Sequence, residues 1–293
     1  MEVQVISKKL IKPSVPTPSH LRNLSLSLMD IRLPPKTVPF IFYYQADGNC
    51  HPNSVEHVER LKRLEKSLSE ILTVYYPLAG RYVEEKLSIE CNDEGVEYAE
   101  ALVNGNLSQI LQGQFEIKEL NPDCVEESAT SPQLWWKAIG LRSSHRIIDG
   151  FTSSLFINGW AKACKVGNIN DVIVPNFEAG ILFPPRDTPV VKLALILSNT
   201  TSQIVAKRFV LDTNTLSKLK AEVTSSCGRG HIHKTSTTEI VIALIWRAQV
   251  NAARARYGYL RTSLLSVAIN LRGKTFKKVP ENCCGNIYTV GTA

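Results

Sequence analysis

One short segment of the sequence combines residue types that could carry out chemistry. Residues 143–150 read SSHRIIDG, which places His145 four residues before Asp149 and close ahead of Gly150. An imidazole with a pKa near neutrality can remove a proton from a hydroxyl or amine nucleophile. Asp149 could orient the loop, and Gly150 could permit a tight turn into a following helix. The pattern also fits a loop histidine followed by a helix-capping aspartate, so the segment alone leaves both readings open.

The surrounding sequence predicts the elements that would hold this segment. An apolar run, Ala138–Leu141, precedes it, and Phe151–Lys165 has helical periodicity. The other predicted elements are a strand at Val38–Tyr44, an amphipathic helix from Val55 to Leu72 capped by Asn53 and Glu56, a hairpin around Asn92–Gly95, a helix near Leu107–Leu111, a long connection over residues 166–202, a helix containing Leu216, Leu219 and Val223, a helix from Thr237 to about Tyr257 capped by Ser236 and Glu239, and a strand at Leu264–Asn270.

The composition excludes several classes of protein. The chain has 293 residues, 44% hydrophobic and 21% charged, which predicts one or two globular domains. It contains no apolar run long enough to span a membrane, and its first residues lack the pattern of a secretory signal. The seven cysteines are scattered and odd in number, which predicts reduced thiols rather than a disulfide framework. Together these features predict a cytoplasmic protein.

The net charge of +7 is distributed unevenly along the chain. Residues 188–293 hold 15 Lys and Arg against four Asp and Glu, a balance of +11, whereas residues 1–187 have a balance of −4. This asymmetry points to an anionic partner for the second part, either nucleic acid or a phosphorylated cofactor. A basic, solvated surface is the plainer alternative.

Several further segments, taken in order, resemble one family. They are TVYYPLAGR at 73–81, ECNDEGVEYAEA at 90–101, SHRIIDG at 144–150, VPNF and FPP at 174–177 and 183–185, KRFVLD at 207–212, IALIWRA at 242–248, AINLRGK at 268–274 and GNIYT at 285–289. The chain in this respect resembles the plant BAHD acyl-CoA-dependent acyltransferases, and among them the vinorine-synthase-like O-acetyltransferases of alkaloids and alcohols.

The resemblance implies a two-domain α/β fold of the chloramphenicol-acetyltransferase-like type, with mixed sheets and flanking helices. Residues 1–187 would form the N-terminal acyltransferase domain with the HxxxD motif and the start of the crossover. Residues 188–293 would form the connection and part of the C-terminal acyltransferase domain. A solvent channel would cross the domain interface at the motif.

The same resemblance implies roles for individual residues. His145 matches the general base that deprotonates the acceptor hydroxyl, which then attacks the thioester carbonyl of acyl-CoA. Asp149 matches a structural aspartate that pairs with Arg272 and turns away from the substrate, with Gly150 beside it. Ser236 and Thr237, at a predicted helix N-terminus, could bind a coenzyme A phosphate, although plain capping explains Ser236 as well.

The expected partners are therefore acyl-CoA, with acetyl-CoA as the expected co-substrate, and a small-molecule alcohol. The resemblance implies no permanently bound cofactor or metal, no nucleic acid and no membrane, and family members are usually monomeric. A zinc site built from Cys227, His231 and His233 has poor spacing, and the basic residues lack the interleaved aromatic residues expected of a nucleic-acid surface.

The sequence departs from the family at two places. Residues 121–137 lack the apolar strand and Gly-Gly turn that would precede the HxxxD strand, and Trp135 and Trp136 stand there instead. The family's DFGWG motif does not occur, so the expectation is a C-terminally truncated member with an incomplete second domain. Two outcomes stay open: an active acyltransferase, or an inactive truncated member that binds a ligand or partner without turnover and tends to associate.

Overall fold

A computed structural model describes residues 2–33, 36–45, 54–104, 136–185, 209–226, 235–275 and 279–293. Its strands are β1 (Glu2–Ile11), β2 (Asn23–Ser25), β3 (Thr37–Gln45), β4 (Arg81–Val83), β5 (Ser88–Glu90), β6 (Val96–Asn104), β7 (Trp136–Ser144), β8 (Ser266–Asn270) and β9 (Tyr288–Thr292). Its helices are α1 (Leu28–Ile31), α2 (Val55–Val74), α3 (Gly150–Val166), α4 (Ala179–Leu182), α5 (Thr213–Ser226) and α6 (Thr237–Tyr257). Short 3-10 turns lie at Ser19–Leu21, Tyr76–Ala79 and Glu84–Lys86.

The described strands form four small sheets. β1 pairs with β6 and β3 pairs with β7, both antiparallel, while β2, β5 and β4 form a three-stranded antiparallel sheet in that order. β8 pairs with β9, and one isolated parallel bridge joins Asn176 and Cys283. The pairing of β3 with β7 is the one that matters for the site, because it brings Thr37 opposite Ser144, the residue before His145.

The main apolar core forms between two helices. Leu68, Ile71 and Leu72 of α2 pack with Phe156 and Trp160 of α3, as the 3.6-residue period of both segments requires. The indole N–H of Trp160 donates to the Ser67 hydroxyl at 3.0 Å, so the polar edge of the ring is satisfied inside the core. This packing anchors α3, and with it the loop that carries His145.

The chain divides into two compact units. One contains Met1–Ala206 and Asn270–Thr289, and the other contains Lys207–Ile269 and Val290–Ala293. The boundary predicted between residues 187 and 188 lies in the stretch 186–208, outside the described residues. Residues 270–289 group with the first unit, although the sequence prediction placed them in the second.

Within the second unit, α5 packs against α6. The ammonium group of Lys220 in α5 donates to the hydroxyl of Thr237 at 2.9 Å, and the indole N–H of Trp246 donates to Ser263 at 3.1 Å. Ile240 is the one apolar side chain of the described part of this unit that is buried.

Two local predictions are wrong. Ser54, not Asn53, caps α2, since its hydroxyl accepts from the His57 backbone N–H and places the first helical residue at Val55. The strands that flank Asn92–Gly95 do not form a hairpin, because β5 pairs with β2 and β4 whereas β6 pairs with β1. The predicted helix at 107–111, the connection beyond residue 185 and residues 121–135 lie outside the described residues.

Among the described residues, no helix combines the length and apolar character needed to cross a membrane.

Candidate active site

His145 lies in a tight loop between β7 and α3. The strand ends at Ser144, the Ile147 N–H donates back to the Ser144 carbonyl at 3.1 Å, and α3 begins at Gly150. The His145 N–H donates to the carbonyl of Lys36, directly before β3, at 2.9 Å. The backbone of His145 is therefore held from both sides, by its own turn and by the neighbouring chain.

The His145 ring is oriented by an amide from a distant part of the chain. Its Nδ1 lies 3.1 Å from Oδ1 of Asn286, a fully buried residue. The Asn286 amide nitrogen donates to the His145 carbonyl at 2.8 Å and to Asp30 Oδ1 at 2.8 Å. Both of those neighbours are acceptors, so they must face the NH₂ group, and the carbonyl oxygen must face the ring. The hydrogen of the neutral imidazole therefore sits on Nδ1, which leaves a lone pair on Nε2.

Nε2 of His145 has no hydrogen-bond partner within the described parts of the chain. The ring is half-buried, and its centroid lies 6.4 Å from that of Tyr288. Burial raises the pKa of Tyr288, so this phenol stays neutral around pH 7. The free nitrogen is the atom of this site that is chemically able to accept a proton from a substrate.

Asp149 has a different role, although it belongs to the same motif. Its carboxylate caps α3 by accepting from the Thr152 N–H at 2.8 Å, and it also accepts from the Ile287 N–H at 3.2 Å. Both of its oxygens face Arg272, with distances of 2.8 and 3.3 Å to the two terminal nitrogens. The His145 ring donates its Nδ1 hydrogen to the Asn286 carbonyl oxygen instead, so Asp149 organises the loop rather than the imidazole.

Arg272 joins the loop to the C-terminal part of the first unit. Its side chain is 2% exposed and that of Asp149 is 7% exposed, so the ion pair is buried. The guanidinium also donates to the carbonyls of Cys283 (2.7 Å) and Gly285 (3.0 Å), and its carbon lies 4.6 Å from the centre of the Phe151 ring. These partners satisfy the planar donor fork, which is the condition under which a buried pair is tolerated.

Gly150 does not serve the purpose that the sequence suggested. Its φ lies outside the left-handed region, and a Cβ added to it would meet nothing within 4 Å. The turn into α3 is made instead by Asp149, whose extended backbone and carboxylate cap the helix. The expectation that glycine permits this turn is therefore wrong.

Ser236 and Thr237 lie in the second unit, at the start of α6. The Ser236 hydroxyl accepts from the Glu239 N–H at 3.2 Å, and the Glu239 carboxylate accepts from the Ser236 N–H at 2.6 Å, which completes a capping box. Lys220 is hydrogen-bonded to Thr237, so a cation lies beside the helix N-terminus. Capping accounts for the Ser236 contacts, and coenzyme A binding by these two residues stays a prediction.

Sequence reasoning missed two residues that the structure connects to His145. Asn286 lies in the GNIYT segment, which carried the resemblance without any role for its amide. Asp30 is part of an S-x-x-D capping box with Ser27, and that pattern was the one available signal. Their connection to His145 exists only in three dimensions.

The described cysteines are free thiols, and no described group of His, Cys, Asp and Glu side chains could hold a metal ion. Burial raises the pKa of Cys283 to about 11 and that of Cys284 to about 12, so both vicinal thiols stay protonated. The rival zinc ligands Cys227, His231 and His233, and also Trp135, lie outside the described residues.

Comparison with known families identifies the group to which this chain belongs. The model of the Transferase family matches residues 1–293. The chain belongs to this family, the BAHD acyltransferases.

Two relatives and one solved structure illustrate the similarity within the BAHD family. Stemmadenine O-acetyltransferase of Catharanthus roseus is 33% identical, over 100% of this chain and 71% of the relative. Acetyl-CoA-benzylalcohol acetyltransferase of Clarkia breweri is 34% identical, over 100% and 70%. The crystal structure of vinorine synthase matches with a TM-score of 0.75 and 29% identity, over 100% of this chain and 71% of that one. The BAHD fold expected from the sequence is confirmed.

Proposed function

We propose that this chain transfers an acyl group, most simply acetyl, from acyl-CoA to a hydroxyl of a plant specialised metabolite such as an alkaloid or an alcohol. The observation that carries the proposal is the contact of 3.1 Å between His145 Nδ1 and Asn286 Oδ1, which leaves Nε2 without a hydrogen-bond partner among the described residues. Similarity to named O-acetyltransferases of an alkaloid and of benzyl alcohol supports the reaction class.

His145 acts as the general base in this reaction. Its Nε2 accepts the proton of the acceptor hydroxyl while the oxygen attacks the thioester carbonyl and forms a tetrahedral intermediate. The intermediate collapses by breaking the carbon–sulfur bond, and the coenzyme A thiolate takes the proton back from the imidazolium. The Asn286 carbonyl holds the Nδ1 hydrogen throughout, which stabilises the cationic ring.

Further parts of the proposal concern the binding of coenzyme A, the cellular compartment and the oligomeric state. The excess of basic residues in 188–293 favours the phosphates of coenzyme A, with Ser236 and Thr237 as candidate contacts beside Lys220. Free thiols at all the described cysteines fit a cytoplasmic compartment. We assign a monomer as the working state, which sedimentation velocity will test.

The experiment is an acetyl-transfer assay with acetyl-CoA and a panel of alcohols that includes benzyl alcohol. His145→Ala is expected to lower kcat by about 10² to 10⁴, the usual contribution of a positioned general base. The matched control is His20→Ala, which removes an exposed histidine and should leave kcat unchanged. Turnover in His145→Ala equal to that of the parent chain would remove His145 from the mechanism.

The same assay separates the two outcomes left open by the sequence. Binding of acetyl-CoA in calorimetry, with no transfer to any alcohol of the panel, would support a family member that binds without turnover. Acetyl transfer that is lost in His145→Ala would support an active acyltransferase.

A further inference from the structure

Asp30 is a buried carboxyl group in the short helix α1, with 3% of its surface exposed. It is not part of the HxxxD motif and lies far from it in the sequence. Its side chain nevertheless contacts Asn286, the residue that orients the His145 ring.

Each oxygen of Asp30 accepts two hydrogen bonds. Oδ1 accepts from the backbone N–H of Asn286 at 2.7 Å and from its side-chain amide at 2.8 Å. Oδ2 accepts from the backbone N–H of Ser27 at 2.9 Å and from its hydroxyl at 2.6 Å. Burial raises the pKa of the Asp30 carboxyl, while these donors act in the opposite direction. Four donors and no acceptor around one carboxyl group match its ionised form.

We propose that Asp30 is a positioning residue for acyl transfer, because its carboxylate fixes the Asn286 amide and thereby the hydrogen of His145 on Nδ1. The Asn286 NH₂ group has two hydrogens, one for the His145 carbonyl and one for Asp30. With both acceptors present, only one orientation of the amide satisfies the site, and Nε2 is left as the base. The consequence for catalysis rests on the proposed function, whereas the position of the hydrogen is a property of the chain itself.

Removing Asp30 would free the amide to rotate. The NH₂ group could then face Nδ1, which would have to accept a hydrogen bond, and the ring hydrogen would move to Nε2. An imidazole in that form cannot accept a proton from a substrate at Nε2. Asp149 cannot replace Asp30, since its oxygens already accept from Arg272, Thr152 and Ile287.

The test is the position of the His145 ring hydrogen, read from the ¹⁵N NMR spectrum of the imidazoles. The His145 signals are assigned by their absence in His145→Gln. The parent chain is expected to show hydrogen on Nδ1, and Asp30→Ala is expected to show a major fraction with hydrogen on Nε2. The matched control is Asp93→Ala, which removes another partly buried carboxylate, one that accepts from Thr17, and should leave the His145 signals unchanged.

A second variant keeps the test decisive if Asp30→Ala does not fold. In Asp30→Asn the side chain keeps the same shape, but one oxygen is replaced by an NH₂ group. That group must face the backbone N–H of either Ser27 or Asn286, and two donors cannot form a hydrogen bond. We expect this variant to raise the Nε2–H fraction above that of the parent chain. A folded Asp30 variant with unchanged His145 signals, or a parent chain with hydrogen on Nε2, would overturn the inference.

Kinetics link the positioning role to the reaction. In the acetyl-transfer assay, Asp30→Asn should lower kcat by about 10-fold or more while the KM for acetyl-CoA stays nearly constant, because the base and not the binding surface is changed. If the NMR signals shift but no variant and no parent chain transfers acetyl groups, the positioning inference stands and the proposed function fails.

Discussion

At the scale of single residues, the two side chains of the HxxxD motif have different roles: His145 is the proposed base, and Asp149 holds the loop in place. His145 bonds through its ring to Asn286, and Asp149 bonds to Arg272 and to the N-terminus of α3. The two side chains are four positions apart in sequence, yet each is held by a different set of partners. Substitutions of the two should therefore have different effects, on turnover for His145 and on stability for Asp149.

Asp149→Ala should lower the free energy of unfolding by about 3–5 kcal/mol, since it leaves the Arg272 guanidinium buried without its counter-charge. It also removes the cap of α3. Urea unfolding followed by circular dichroism measures the loss, and activity should fall mainly because less protein is folded.

The control for this prediction is Ser54→Ala, which removes the cap of α2 without disturbing an ion pair and should cost about 1 kcal/mol. If both variants unfold at the same urea concentration, the ion pair adds nothing to the stability beyond helix capping. That result would contradict the prediction for the buried pair.

At the scale of elements, the short helix α4 depends on a close approach to β2. A Cβ added to Gly180 would lie 2.2 Å from the backbone carbonyl oxygen of Ser25, a distance at which the backbone must move. β2 continues into Leu26, Ser27 and then α1, the helix that carries Asp30. Tight packing at Gly180 therefore supports the segment on which the His145 network rests.

Gly180→Ala is expected to destabilise the protein by about 1–3 kcal/mol, because an overpacked backbone contact cannot be relieved by rotating a side chain. Gly150→Ala serves as the counterpart, since its new methyl group meets no atom within 4 Å and alanine favours a helix. Thermal unfolding of the two variants compares them directly. A melting temperature for Gly180→Ala at or above that of Gly150→Ala would show that the contact is not tight.

At the scale of the whole molecule, the buried apolar clusters of the described residues lie in the first unit. The three clusters are built around α2 and α3, around α4 with Ile287, and around Leu26 with Ile89. In α6 of the second unit, Ile240 is buried but Ile245 is 51% exposed. Because packing supplies most of the stability of a helix in a protein, the two units should differ in local stability.

Hydrogen–deuterium exchange should reveal this difference. Backbone amides in α6 are expected to exchange about tenfold faster or more than those in α2, a helix of similar length whose inner face is buried. Mass spectrometry of peptides from both helices makes the comparison within one sample, and α3 provides a second slow reference. Equal protection of α6 and α2 would contradict the assignment of the stable core to the first unit.

The sequence by itself determined the features that depend on near neighbours. The apolar period of α2, the capping box of Ser236 and Glu239, and the helix containing Leu216 were all predicted and are confirmed, because each arises from contacts within one or two turns. The family followed from segments read in order, and the comparisons confirm it.

Only the tertiary structure decided how these pieces meet. The sequence predicted a hairpin at Asn92–Gly95, but β6 pairs with β1, which is remote in the chain. Asp30 and Asn286 are 256 positions apart, and no local sequence pattern predicts that the Asn286 amide donates to the Asp30 carboxylate. Such pairings depend on which buried donors and acceptors face each other in the packed chain. Most buried polar groups are hydrogen-bonded, but partners that are remote in sequence come within reach only when the fold has formed.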